Sequence, residues 1–219
     1  MVALKICGVT RPEDLRACVD LGVDAVGFNL WPGSKRYISL QGAEQLHAAV
    51  PAAVSCGLLR VGVFVDLELP PIIRAVTSLG LDLIQPHGDG PVEPVAEFAG
   101  DYGIGWIWVI RGTPALASLR VPEPRPAWIL LDAAVPGYGG AGRQTDWVWA
   151  AEAVEALAPT PVWLAGGVTP ANVAAAISEV RPAGIDVASG AEQPGAARGE
   201  KQREAIAALI GACRSGAGP

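Results

Sequence analysis

Apolar runs of strand length alternate along this chain with segments of helical period, and that alternation restricts the fold to a sheet covered by helices. The runs are Ala3–Cys7, Ala25–Phe28, Leu59–Val65, Leu83–Gln85, Trp106–Ile110, Trp128–Asp132, Val162–Ala165 and Ile185–Ala188. Several are apolar on both faces, as LRVGVFV is, and such strands belong to parallel sheets buried on both sides. Eight strand/helix units predict a single-domain α/β fold, a (β/α)8 barrel of minimal size, with a doubly wound open sheet as the alternative. The 219 residues form one domain over 1–219, with a disordered tail expected from about residue 214.

Helix signals fall between the strands. Thr10 and Glu13 have capping-box spacing, Pro12 stands in the first turn, and Gly22 closes the segment. Thr169 followed by Pro170 repeats the cap-plus-proline device before a helix that Pro182 ends. Four prolines in RGTPALASLRVPEPRP leave room for only a turn or two between the fifth and sixth strands. His47, within a predicted helix, has a structural or solvent-facing role.

Charge and composition exclude several functions. The 16 basic residues are scattered among 22 acidic ones for a net charge of −6, which leaves no basic stripe for nucleic acid. No apolar stretch is long enough to span a membrane, and the N-terminus lacks the plan of a secretion signal. Four cysteines stand far apart with no C-x-x-C pair, which suggests neither a metal site nor a disulfide framework and fits a reducing, cytoplasmic setting.

In (β/α)8 barrels the chemistry collects on loops that follow the strand C-termini. By that rule Cys7 ends strand one and Asp132 ends strand six. The other loops of the same rim carry Arg36, His87, the glycines of 139–142 including Gly140, the pair Gly166 and Gly167, and the pair Ser189 and Gly190. Each has a bland reading as well: buried thiol, loop cap, solvated arginine, rim histidine, tight turn. Two glycine-bearing pairs in the loops after strands seven and eight point further, because bare backbone N–H groups there commonly hold a phosphate. A guanidinium such as Arg36 offers a planar fork suited to a carboxylate.

KICGVTRPED, GFNLWPGSKRYI, RVGVFVD, QPHGD, ILLDAAVPGYGGAGRQTDW, LAGGVTPANV and GIDVASGAEQPG resemble, in order, the signature segments of the phosphoribosylanthranilate isomerase family. The resemblance implies a (β/α)8 barrel and an Amadori rearrangement of N-(5-phosphoribosyl)anthranilate to the 1-deoxyribulose ketone, a step of tryptophan biosynthesis. It implies no metal or organic cofactor, a phosphorylated sugar-anthranilate as the small-molecule partner, and a monomer or homodimer. Carried over by position, Cys7 resembles the general base, Asp132 the general acid and Arg36 the holder of the anthranilate carboxylate. Gly166, Gly167, Ser189 and Gly190 match the phosphate loops, while Gly140 and His87 match positions lining the substrate.

The acid must hold its proton until the ring oxygen takes it. The base role asks for a thiol held below its ordinary range near pH ~8.5, and strand alternation alone does not say how close Lys5 comes to supplying that. Some letters depart from the family pattern. Pro86 stands where leucine is usual and is expected to redirect His87; Ala141 and Arg143 replace a Thr and a Lys; SGAEQPGAARGE puts polar contacts beyond Gly190 in question; Asn29 and Trp31 alter the anthranilate pocket. Two alternatives stay open: a related phosphosugar aminoaldose isomerase, of the histidine pathway or bifunctional, and a non-catalytic phosphate-binding barrel.

Overall fold

The computed structural model describes residues 1–66, 68–134, 143–193, 195 and 199–215. Eight parallel strands pair in chain order and close, β8 against β1, into a barrel. They are β1 (Ala3–Cys7), β2 (Ala25–Asn29), β3 (Leu59–Phe64), β4 (Leu83–Pro86), β5 (Gly105–Arg111), β6 (Trp128–Asp132), β7 (Val162–Leu164) and β8 (Gly184–Val187). The predicted strands stand within a residue of these bounds, and β1 and β6 coincide with them. The open-sheet alternative is excluded by the closure.

The helices are α1 (Pro12–Leu21), α2 (Leu40–Ala49), α3 (Ala52–Ser55), α4 (Leu69–Leu79), α5 (Glu93–Tyr102), α6 (Trp147–Ala156), α7 (Val173–Val180) and α8 (Arg203–Ser215). Between β5 and β6 the described residues hold only a 3₁₀ turn, Leu116–Ser118, as the four prolines demand. A large apolar layer packs helices on the outside of the barrel, including Leu15, Phe28, Ile72, Ile84 and Ile206. His47 belongs to this layer, its ring edge-on to Phe28 at 4.9 Å.

Three local expectations need correction. Helix α1 starts at Pro12, so its N-cap is Arg11, and no side chain caps it. Proline fixes the first helical position, which puts Thr10 one residue too early and Glu13 in the first turn. Helix α7 starts at Val173, not beside Thr169: the Asn172 side chain accepts from the Thr169 N–H (2.7 Å) and donates to the Gly167 carbonyl (3.0 Å), bracing the loop before the helix. The tail expected from about 214 begins too early, because α8 runs through Ser215. Arg214 is held there by the Val2 carbonyl (3.2 Å) and the Asp24 carboxylate (2.9 Å). Residues 216–219 lie outside the described ones.

Strand alternation divides the lumen into two levels. Its floor is apolar: Leu83, Ile107, Leu130 and the rings of Trp128 and Trp163, stacked at 4.4 Å with their planes 9° apart. Two residues beyond Leu83 and Leu130 the positions become Gln85 on β4 and Asp132 on β6, and β1 and β8 add Lys5, Cys7 and Asp186. The chemistry therefore lies at the C-terminal rim.

Candidate active site

Inward-facing polar residues of the upper lumen form a hydrogen-bonded chain that runs from Asp186 to His87 and stops short of Asp132. Lys5, 1% exposed, donates from Nζ to Asp186 Oδ2 (2.8 Å) and to Gln85 Oε1 (2.9 Å). Gln85 Nε2 lies 3.2 Å from His87 Nδ1, and His87 Nε2 lies 3.3 Å from Asp132 Oδ2. The other carboxylate oxygen of Asp132 accepts from the Ala133 N–H at 2.9 Å. A buried charge has to be paired and hydrogen-bonded, and Lys5 is both. Burial pulls its ammonium down, but Asp186 and Cys7 outweigh that and leave it above its ordinary value.

Cys7 is half-buried at the end of β1. Burial is the largest influence on its thiol and raises it; Asp186 adds to the rise, while the cations of Lys5, Lys201 and Arg36 oppose it. The net direction is upward. In the free protein the thiol is therefore not primed in the way a base would need, contrary to the expectation from sequence.

Arg36 is buried, not solvated, and its fork is engaged: Nε and Nη2 donate to Glu192 Oε1 (2.5 Å) and Oε2 (2.8 Å). Lys201 Nζ donates to the same carboxylate at 3.0 Å and to the Ala188 carbonyl at 3.0 Å. Burial works to raise the Glu192 carboxyl, but Arg36 and Lys201 override it and hold the group below its ordinary value. Gly8, with φ +74°, makes space for Arg36: a Cβ there would fall 2.4 Å from Arg36 Cδ. The segment beyond Gly190 thus keeps its polar contacts.

Gly166 and Gly167 follow β7 with φ +81° and +68°. Ser189 and Gly190 open a 3₁₀ turn, Ser189–Ala191, after β8. The two loops touch, since a Cβ on Gly190 would lie 1.9 Å from the Val168 carbonyl oxygen. Among the described residues, no protein acceptor meets the backbone N–H of Gly166 or Gly167. Gly140 and Ala141 lie outside the described residues, and Arg143 is exposed.

The sequence profile of the family described as N-(5'phosphoribosyl)anthranilate (PRA) isomerase matches residues 4–211. The chain belongs to this family. An N-(5'-phosphoribosyl)anthranilate isomerase of Myxococcus xanthus is 38% identical over 229 residues, covering 98% of this chain and 97% of that one. The crystal structure of the phosphoribosyl anthranilate isomerase of Thermotoga maritima superposes with a TM-score of 0.82 at 34% identity, covering 98% of this chain and 100% of the other. A family structure in complex with reduced 1-(o-carboxyphenylamino)-1-deoxyribulose 5-phosphate gives 0.79 at 32% identity, with 98% and 100% covered.

At the Pro86 departure from the family pattern, His87 stands at the rim beside Asp132. Pro86 extends β4 in register with Phe64, and the His87 N–H donates to the Phe64 carbonyl at 2.7 Å, which sends the ring toward Asp132. Asn29 accepts from the Trp31 N–H at 3.1 Å. Sequence reasoning missed Gln85, Asp186, Glu192 and Lys201. Their one available signal was a polar letter at an inward strand position, or beside a glycine of the last loop.

Among the described residues, no group of three His, Cys, Asp or Glu side chains could hold a metal ion, and no helix is long and apolar enough to cross a membrane.

Proposed function

We propose that this family member isomerises N-(5-phosphoribosyl)anthranilate with Asp132 as general acid and Cys7 as general base. The observation that carries this reading is the placement of thiol and carboxyl at the ends of β1 and β6 on one rim, with buried polar residues between them. Asp132 gives its proton to the furanose ring oxygen as the C1′–O bond breaks, which leaves a cationic Schiff base. That cation acidifies the C2′–H. Cys7 takes the proton as thiolate, and the enolamine tautomerises to the ketone.

The raised thiol fits this order of events. Before substrate arrives, burial keeps Cys7 protonated and protected from oxidation. A positive charge developing at the substrate nitrogen adds to Lys5, Lys201 and Arg36 and tips the balance toward thiolate, the thiol proton leaving to solvent before the C2′ proton is taken. Arg36 uses one edge of its fork on Glu192, and its Nη1/Nη2 edge is the one left for the anthranilate carboxylate. The N–H groups of Gly166 and Gly167, with Ser189 and Gly190, take the phosphate. The setting is the cytoplasm.

Turnover followed by loss of anthranilate-type fluorescence tests the roles. Cys7→Ser and Asp132→Asn should each lower kcat by roughly 10²–10⁴-fold with a much smaller effect on KM. Near-wild-type kcat in either variant removes that residue from its role. A histidine-pathway aminoaldose should not be turned over.

A further inference from the structure

We propose that Lys5 and Gln85 are positioning residues that fix the tautomer of His87, so that a neutral imidazole presents Nε2–H to Asp132 and cannot take the acid's proton. This inference rests on Asp132 being the general acid.

The direction of the hydrogen bonds is fixed from Lys5 outward. An ammonium only donates, so the Gln85 atom 2.9 Å from Lys5 Nζ must be its carbonyl oxygen. The Gln85 amide nitrogen then faces His87 Nδ1 at 3.2 Å and donates to it. Nδ1 is thereby an acceptor, and the ring proton sits on Nε2. Lys5 is itself held by Asp186 at 2.8 Å. Three strands, β8, β1 and β4, thus set a single proton position through three residues, Asp186, Lys5 and Gln85, all of them buried.

The consequence lies at Asp132. His87 Nε2 is 3.3 Å from Oδ2 but outside hydrogen-bond geometry. Catalytic contacts are often loose in the free protein and tighten in the reacting complex. When Asp132 hands its proton to the ring oxygen it becomes a carboxylate, with the Ala133 N–H on Oδ1 and the imidazole N–H available to Oδ2. Were His87 the other tautomer, a bare Nε2 would face the acid and compete with the substrate for its proton. The Lys5–Gln85 arrangement closes that route.

The chain has two histidines, His47 and His87, so imidazole ¹⁵N resonances can be assigned with a His47→Asn variant. At a pH where His87 is neutral, its spectrum should be that of the Nε2–H form. The decisive comparison is Gln85→Glu, nearly unchanged in volume, whose carboxylate accepts from both neighbours. His87 should then carry a proton on Nδ1, and kcat should fall about tenfold or more while KM stays within about twofold. Gln85→Met, which can neither donate nor accept there, should lower kcat with less disturbance of the ring proton. An Nδ1–H form in the wild type, or an unaltered Nε2–H form without Nδ1 protonation in Gln85→Glu, overturns the proposal. The NMR reading is independent of turnover. If the tautomer reverses and kcat does not move, the tautomer is set as described but Asp132 is not the acid it serves, and the proposal fails on that count.

Discussion

The floor and the rim of this barrel are built on the same strands, two residues apart, and they obey opposite rules. The floor stacks Trp128 on Trp163 at 4.4 Å and surrounds them with aliphatic side chains, burying large apolar area at the cost of one indole N–H, Trp128 Nε1, that meets no acceptor among the described residues. The rim buries two ammoniums, two carboxylates, a guanidinium and an amide, with the half-buried Glu192 beside them, and each must be matched by a partner before it breaks even. The difference teaches where the fold gains its stability and where it concedes some of that for chemistry.

Substitutions at the two levels should therefore have opposite profiles. The largest effect on catalysis belongs to the rim: Asp132→Asn should lose roughly 10²–10⁴-fold in kcat while its thermal midpoint moves little, and a parallel loss of stability would contradict the division. At the floor, Trp163→Ala should cost about 3–5 kcal/mol in urea unfolding and leave kcat per folded molecule nearly unchanged. Arg36→Ala should raise KM for the anthranilate substrate by on the order of 10–100-fold, the span of a lost charge-assisted hydrogen bond, with kcat less affected; an unchanged KM shows the carboxylate is held elsewhere.

Two further predictions concern thiols. Burial raises the Cys7 thiol, so iodoacetamide should alkylate it with a midpoint above the ordinary thiol value of 9.0, and a midpoint below that value would contradict the burial account. Cys18, on α1 in the outer layer, is pushed by burial from 9.0 up to about 12. Its neutral form is favoured in the folded state. Its contribution to stability is therefore complete below about pH 9 and falls as pH rises through the window toward 12, where the unfolded chain ionises first. Cys18→Ala should flatten the alkaline decline in urea midpoint between pH 8 and 10.5, conditions chosen to fall on either side of the window's lower edge. An equal decline in both proteins would show that other groups are responsible.

How much of this was legible in the sequence follows from the same contrast. Strands whose both faces are apolar announce themselves as uninterrupted runs, and WILLD gave β6 to the residue. Cys7 and Asp132 were legible because they close such runs, where the barrel always places its rim. Lys5, Gln85 and Asp186 were not, since a polar residue inside an apolar run has no sequence mark of the partner it finds across the lumen, 80 or 181 residues away. Arg36 was picked out for its fork, but Glu192, its partner 156 residues later, was not. The caps failed for a local reason: proline at the first helical position, and an asparagine amide bracing its own loop, set the helix starts at Pro12 and Val173 over the Thr residues that precede them.

The central claim is that thiol, carboxyl and bare backbone amides surround one substrate at the rim. A crystal structure of this protein with the reduced ketose-phosphate product analogue tests it most directly. The account predicts phosphate oxygens within hydrogen-bond distance of the Gly167 and Gly190 N–H groups, with Cys7 Sγ at C2′ and Asp132 at the ring-oxygen position. A phosphate seated elsewhere, or a sugar that neither Cys7 nor Asp132 touches, contradicts it.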